Sequence, residues 1–218
     1  MTSKTILIIG ASRGIGAELV RQYLAAGDTV HATVRDVASP GEPAALNGNF
    51  TLHQLDVRDV SRTLEFAAAM GTAQLDVIIH SAGIYRGHTQ EELIEVNAVA
   101  PIRTVEALLD AGALRPGGTV AIMTSQLGAR RGSSKTKGGY SGSKMALNDE
   151  FRLRAAGWAD HGATAIVIHP GWVRTDMGGD SAPLAVEDSV AGIRRLLANL
   201  SPDHHGRFWT WDGREHPW

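Results

Sequence analysis

The stretch TILIIGASRGIGAELVRQYLAAG, residues 5–27, places a short aliphatic run, three glycines and a helical pattern one after another. Glycine is needed where a backbone turns tightly, approaches a pyrophosphate without a Cβ and packs closely against a strand, and the amides at the start of a helix attract an anion. A permissive loop could also contain Gly10, Gly14 and Gly16, and a glycine triplet alone is weak evidence. The strand pattern before them and the helix pattern after them favour a phosphate-binding turn.

The same alternation of apolar runs and helical segments continues along the chain. Four further runs show it: TVHATV (29–34), LDVIIH (75–80), GTVAIMT (118–124) and TAIVIHP (164–170). Apolar runs without polar alternation are typical of parallel strands that are buried on both faces. The pattern predicts an α/β protein with one domain over residues 1–218, an open doubly wound sheet and an added edge strand at GRFWTWDG. Pro101 lies inside a helical segment and would either kink that helix or restart it.

The composition excludes several classes of function. The formal net charge of −2 and the absence of long Lys or Arg runs argue against nucleic acid and anionic membranes as partners. The chain has no cysteine, which removes disulfides, thiolate nucleophiles and cysteine-based zinc sites, and its nine histidines show no metal-ligand spacing. The apolar run that ends at Gly10 is too short for a signal-peptide core or a membrane span. We therefore expect a soluble, cytoplasmic protein that binds a small molecule and no metal.

The stretch YSGSK, residues 140–144, carries candidate acid/base chemistry. On a helix that begins near Tyr140, the side chain of Lys144 lies one turn away on the same face. An ammonium about 4 Å from a phenolate stabilises it by about 4 kcal/mol at an effective dielectric of about 20, and one pKa unit corresponds to about 1.4 kcal/mol. We therefore expect the pKa of Tyr140 to fall toward neutrality, where acid/base catalysis is most effective, with dehydration of the lysine opposing the shift.

Ser125 follows the predicted strand GTVAIMT, and ligands bind where the strands of an open parallel sheet end. Its hydroxyl could donate a hydrogen bond to a substrate carbonyl oxygen and hold that oxygen beside the phenol of Tyr140. Taken alone, Ser125 would be an ordinary strand-end hydroxyl whose hydrogen bonds are satisfied locally.

The spacing GxxxGxG differs from the GxGxxG fingerprint of other dinucleotide-binding folds and resembles that of the short-chain dehydrogenase/reductase family. Four further stretches follow in the family's order: LDV (55–57), HSAG (80–83), VNA (96–98) and TSQLG…YSGSK…HPGWVRTDM between residues 124 and 177. The resemblance covers nearly the whole chain. It implies a single-domain Rossmann fold whose mostly parallel seven-stranded sheet has the order 3-2-1-4-5-6-7. It also implies a homodimer, or a tetramer, formed through a central helix pair.

The resemblance implies catalytic roles for four residues. Tyr140 would be the general acid/base, Ser125 the substrate anchor, Lys144 the ligand of the nicotinamide ribose and Asn97 the holder of a relay water. Taken alone, Asn97 would be a polar group that bridges a bent helix, but the four together, in the family's order, favour catalysis. The residues implied to bind the dinucleotide are Gly10, Ser12, Arg13, Gly14, Ile15, Gly16, Arg35, Asp56, Val57, Ser81, Ala82, Gly83, Tyr140, Lys144, Pro170, Gly171, Val173 and Thr175.

The end of the second predicted strand bears on the choice between NADPH and NADH. In GDTVHATVRD (27–36), Val34 takes the place of the acid with which NAD-dependent members of the family bind the ribose diol, and Arg35 follows it. Arg13 lies inside the glycine turn. Two guanidinium groups can bind a 2′-phosphate, which a carboxylate would repel, so we predict NADPH. Asp36 is the competing feature, because it could bind the diol if the strand ends one or two residues later.

Two positions depart from the family's usual pattern. Ile9 replaces a threonine before the first glycine, and HSAG replaces an asparagine pair at residues 80 and 81. In the family these groups brace the central strands, so the departures bear on local stability more than on chemistry.

The stretch ARRGSSKTKGG (129–139) makes the segment between Ser125 and Tyr140 longer than in most members of the family. This insertion and the ending GRFWTWDGREHPW (206–218) resemble the branch of small carbonyl reductases related to C-signal protein and sniffer. We therefore expect an enzyme that reduces a ketone or aldehyde to an alcohol with NADPH, in a shallow pocket lined by residues such as Tyr85, Gln126 and Trp172. The alternative is a signalling or regulatory protein that binds NADP(H), with incidental turnover.

Overall fold

The computed structural model describes residues 3–131 and 138–218, so residues 132–137 of the predicted insertion lie outside the described part. The described chain forms a seven-stranded sheet in which all neighbouring strands are parallel, with the order β3-β2-β1-β4-β5-β6-β7. The strands are β1 (Thr5–Ile9), β2 (Thr29–Val34), β3 (Phe50–Gln54), β4 (Leu75–His80), β5 (Leu114–Met123), β6 (Thr164–His169) and β7 (Arg207–Thr210). The predicted doubly wound fold and strand order are confirmed, as is the added edge strand, β7.

The helices lie on both faces of the sheet. They are α1 (Gly14–Ala25), α2 (Val60–Met70), α3 (Gln90–Ile94), α4 (Ala100–Asp110), α5 (Gly139–Trp158) and α6 (Val186–Ala198). A π-helical segment, Glu95–Val99, joins α3 to α4. Pro101 stands in the first turn of α4. Because proline has no N–H, it cannot donate to the carbonyl four residues earlier, and the chain resumes α-helical hydrogen bonding only after the π-helical segment.

Strand β3 has no counterpart among the apolar runs of the sequence. Three of its five residues, FTLHQ, are half-buried and two are exposed, because β3 is an edge strand next to β2. An edge strand lacks the continuous apolar pattern of a strand buried on both faces, so only the family resemblance implied it. The connection from β2 to β3 contains one 3₁₀ turn, Glu42–Ala45, and no α-helix.

Two hydrophobic clusters pack on opposite faces of the sheet. Leu7 and Ile9 of β1 face the first cluster, with α2, α4 and α5. Ile6 and Ile8 face the second, with α1 and α6. Side chains alternate along a strand, so an uninterrupted aliphatic run such as β1 supplies both layers at once. The loops after β1, β4, β5 and β6 leave from the same edge of this parallel sheet, and they carry most of the predicted site residues.

Candidate active site

The glycine turn after β1 has a backbone that other residues could not adopt without displacement. Gly10 has φ +85°, and a Cβ there would lie 2.6 Å from the Ala82 backbone. A Cβ on Gly16 would lie 2.0 Å from the Gly10 carbonyl oxygen. Helix α1 begins within this turn, at Gly14. The turn therefore brings backbone amides and a helix start together without intervening side chains, as a bound pyrophosphate requires.

The loop after β6 lies against this turn. A Cβ on Gly14 would be 3.2 Å from Cγ2 of Thr175, and Arg13 forms an exposed ion pair of 3.1 Å with Asp176. The loop leaves the sheet through Gly171, whose φ is +93°. Val173 is buried, and the Pro170 carbonyl accepts a hydrogen bond from Ser189. Two stretches predicted to bind the same dinucleotide, far apart in sequence, are thus adjacent in the fold.

A cleft of about 300 Å³ lies between the ends of β2 and β3, lined by Arg35, Gln54, Asp56, Asp59 and Arg62. Hydrogen bonds from Arg58 hold the pKa of Asp56 below its ordinary value, and the nearby charge of Arg35 acts in the same direction. Strand β2 ends at Val34, whose side chain is buried. The Asp36 carboxylate accepts a hydrogen bond from the Ala38 amide at 2.9 Å, so it caps its own turn.

Other predicted contacts of the dinucleotide lie around the same edge. The Ser81 amide donates to the Ile9 carbonyl, and Ala82 packs beside Gly10. Ile15 packs on the second hydrophobic cluster. Val57 is buried, and its carbonyl accepts a hydrogen bond of 2.7 Å from Arg103, which fixes the orientation of this carbonyl.

Tyr140 and Lys144 lie one turn apart near the start of α5, as predicted. The Lys144 Nζ is 5.9 Å from the centre of the Tyr140 ring and donates a 2.9 Å hydrogen bond to the Met123 carbonyl at the end of β5. Ser125, two residues after that strand, lies close enough to Tyr140 to lower the pKa of its hydroxyl. The structure therefore brings the phenol, the hydroxyl and the buried amine together.

Asn97 lies in the π-helical segment and is fully buried. Its Oδ1 accepts a hydrogen bond from the Ile84 amide, and its Nδ2 donates to the Ile84 carbonyl, both at 2.9 Å. The same Nδ2 donates to the Ser143 hydroxyl at 3.0 Å. A Cβ on Gly83 would be 3.2 Å from the Asn97 Oδ1 and 3.8 Å from the Lys144 Nζ. The amide of Asn97 thus ties the loop after β4 to α5 beside the amine.

The predicted fall in the pKa of Tyr140 is wrong for this structure. Burial raises the pKa of Tyr140 to about 12, with a further rise from Tyr85, while the hydrogen bond from Ser125 lowers it. Burial also lowers the pKa of Lys144 to about 7. Removing the ammonium from water destabilises its charged form, and that charge was the expected cause of an acidic phenol. Dehydration outweighs the attraction between the two groups.

Two neighbours of the acid/base pair complete the site. The Tyr85 ring packs edge-on against Tyr140, with ring centres 4.9 Å apart, as its predicted place in the pocket requires. Gln126 and Trp172, the other predicted lining residues, are exposed. His80, at the end of β4, is buried, and neither of its ring nitrogens has a hydrogen-bond partner among the described residues. The sequence marked position 80 only as a departure from the family pattern, and its unsatisfied nitrogens appear only in three dimensions.

The sheet order and the glycine turn after β1 define a doubly wound, Rossmann-like protein. Residues 4–183 match the family model described as short chain dehydrogenase, and the chain belongs to this family of oxidoreductases, the short-chain dehydrogenases/reductases. Among the described residues, no helix has the length and apolar character to cross a membrane.

Three known proteins illustrate the similarity. The C-signal protein of Myxococcus xanthus is 36% identical in an alignment of 168 positions that covers 70% of this chain and 98% of that protein. The structure of the carbonyl reductase Sniffer of D. melanogaster covers all of both chains with a TM-score of 0.86 and 26% identity. The NADPH-bound carbonyl reductase from chicken fatty liver covers all of both chains with a TM-score of 0.85 and 29% identity. The predicted resemblance to the small carbonyl reductase branch is confirmed.

Proposed function

We propose that this protein reduces a ketone or aldehyde to an alcohol with NADPH. The observation that carries the proposal is the group formed by the Tyr140 hydroxyl, Ser125 close enough to lower its pKa, and Lys144 buried one turn away, at the sheet edge that also carries the glycine turn. The similarity to carbonyl reductases, one of them described as NADPH-bound, supports the same reaction.

The residues at this edge can perform the proton chemistry of a reversible reduction. NADPH, when bound, supplies the hydride. Tyr140, with a pKa of about 12, is protonated at neutral pH and can donate its proton to the substrate oxygen. The Ser125 hydroxyl can hold that oxygen beside the phenol. Lys144, with a pKa of about 7, can gain or lose a proton near neutrality, and its bond to the Met123 carbonyl fixes its position.

The backbone around the glycine turn fits a dinucleotide, because the positions of Gly10 and Gly16 leave no room for a Cβ. We propose that Arg13 and Arg35, both exposed near this turn and the adjacent cleft, bind the 2′-phosphate of NADPH. Buried Val34 offers no acid for a ribose diol, and Asp36 is engaged in its own turn. Dissociation constants for NADPH and NADH, measured by nicotinamide fluorescence, test the preference. A dissociation constant for NADH equal to or below that for NADPH would contradict it.

The substrate we propose is a small carbonyl compound with an apolar part. Three large apolar side chains are exposed on the loops after β5 and β6: Leu127, Trp172 and Met177. We further propose one domain over residues 1–218, a cytoplasmic location and a homodimer, or a tetramer, that pairs α4 and α5 between subunits. Light scattering after size-exclusion chromatography tests the oligomeric state, and a monomer at micromolar concentration would contradict the dimer.

The decisive experiment is a screen of aldehydes and ketones that follows NADPH absorbance, with Tyr140→Phe as the test variant. We expect this variant to lose about 100-fold or more in kcat/KM, because the general acid is removed, while NADPH still binds. Tyr23→Phe is a matched control, because Tyr23 is a buried tyrosine of α1 outside the site. Equal activity of Tyr140→Phe and wild type would contradict the proposed acid.

A second candidate function is a signalling or regulatory protein that binds NADP(H). The observation that favours it is the 36% identity to the C-signal protein. The two functions differ in the screen, because a binding protein binds NADPH but consumes none of it with any carbonyl compound. NADPH binding without turnover across a broad panel would replace the enzymatic proposal by this one.

A further inference from the structure

A carboxylate of the protein is bound to the glycine turn. Oε1 of Glu42 accepts a hydrogen bond of 2.8 Å from the Gly14 amide. Gly14 is the first residue of α1, and amides at the start of a helix are the groups that bind anions. Glu42 lies in the connection between β2 and β3, so a distant segment supplies an anion to the turn that we propose binds the phosphates of NADPH.

The backbone of the same segment fixes Glu42 in this place. The Glu42 amide donates a 3.0 Å hydrogen bond to the Ser12 carbonyl inside the glycine turn. Gly41 has φ +78°, and a Cβ there would lie 2.2 Å from the same carbonyl oxygen. Pro43, the next residue, is buried. The segment is therefore held against the turn by two hydrogen bonds, by the close approach that Gly41 allows and by the buried Pro43.

Two carboxylates lie at the turn that we propose receives the phosphates. Besides Glu42 on the Gly14 amide, Asp176 forms an ion pair with Arg13, the guanidinium within the turn. Each carboxylate therefore engages a group that would otherwise be free to bind an anionic ligand. Since like charges repel, a dinucleotide with several phosphate charges meets competition at both places.

We propose that Glu42 limits the affinity of the protein for NADP(H) by competing for the Gly14 amide. The inference rests on the proposed function, because it concerns the same dinucleotide site. The carboxylate satisfies the amide and adds a negative charge beside the phosphates. Binding of the dinucleotide then requires that the Glu42 side chain turn away or that the two negative groups remain close, and either event weakens binding.

Calorimetric titration of NADP⁺ into wild type, Glu42→Gln and Glu42→Ala tests this proposal. The glutamine keeps a neutral acceptor for the amide, whereas the alanine removes the side chain. We expect both variants to bind NADP⁺ about threefold to tenfold more tightly than wild type, as the removal of one exposed repulsive charge allows. Because the charge is exposed, the gain should shrink as salt rises from about 0.05 M to about 0.5 M.

Glu215→Gln is the matched control, because Glu215 is an exposed glutamate that pairs with Arg207 on the far edge of the sheet. Its dissociation constant should equal that of wild type, and thermal unfolding of each variant shows that it is folded. If wild type binds NADP⁺ and both folded Glu42 variants bind it equally well or more weakly, Glu42 supports the turn and does not compete with the ligand. That result would overturn this inference and leave the proposed function standing. If no folded protein binds NADP⁺, the proposed function fails and the inference fails with it.

Discussion

We expect the buried side chain of His80 to make the protein less stable in mild acid. Its side chain is 1% exposed at the end of the central strand β4, and burial lowers the pKa of its imidazole from 6.5 to about 3, with the charge of Lys144 acting in the same direction. Neither ring nitrogen has a hydrogen-bond partner within residues 3–131 and 138–218. The folded protein therefore keeps this ring neutral where an unfolded chain would protonate it.

The magnitude follows from proton linkage. The pKa is lower in the folded than in the unfolded state, so the contribution of His80 to stability is fully present above pH 6.5 and is lost as the pH falls toward 3. Between pH 7 and pH 5 the unfolded chain gains about 0.7 proton that the folded chain does not. The free energy of unfolding should fall by about 2 kcal/mol through this group alone.

Urea unfolding of wild type and His80→Asn, at several pH values between about 5 and 7, measures this loss of stability. Asparagine cannot titrate and is the residue that the family's pattern has at this position. Other groups, including His169, whose pKa burial lowers to about 4, contribute equally to both proteins and cancel in the comparison. Wild type should lose about 2 kcal/mol more than the variant over this range. Parallel pH dependences of the two proteins would contradict this role of His80.

Two further predictions concern the acid and the glycine turn. Since the pKa of Tyr140 is about 12, kcat/KM for carbonyl reduction by Lys144→Met, which lacks the buried amine, should not decline below about pH 10, and a decline of this variant near pH 8 would contradict this pKa. Gly10→Ala should lower the free energy of unfolding by about 3 kcal/mol or more, because its Cβ would meet the Ala82 backbone at 2.6 Å. At Gly27, φ is +83° but a Cβ would have no atom within 4 Å, so Gly27→Ala should lower the free energy of unfolding, measured by thermal unfolding, by only about 1 kcal/mol. Equal losses in the Gly10 and Gly27 variants would show that backbone strain, and not the contact with Ala82, determines the loss of stability.

Much of the fold could be predicted from the sequence, because buried parallel strands and the helices between them have different periods. The runs at residues 5–9 and 29–34 became strands with those bounds, and the run at residues 164–170 became a strand that ends one residue earlier. Strand β3 did not show the pattern because its edge position leaves two of its five residues exposed and none fully buried. The sequence pattern is strongest where burial is complete on both faces, and it fades at the edge of the sheet.

The candidate site could also be predicted only in part. Ser125 could be found because ligands bind where parallel strands end, and Tyr140 because Lys144 follows it by one helical turn. The role of Asn97 came only from the family resemblance. The pKa of Tyr140 could not be predicted, because its direction depends on how completely α5 and β5 remove water from Lys144. The contact between Glu42 and Gly14 was also absent from the patterns, since it joins a loop without secondary-structure period to a backbone amide.

The pKa values of Tyr140 and Lys144, which the spacing could not predict, bear on how the site works. The spacing of Tyr140 and Lys144 fixes which groups meet, whereas their dehydration decides which of them holds the proton. A buried amine with a pKa of about 7 beside a phenol with a pKa of about 12 favours the protonated phenol, the form that a reductase needs before hydride transfer. Burial, which opposes an acidic tyrosine, thereby prepares Tyr140 to donate a proton in the direction of carbonyl reduction.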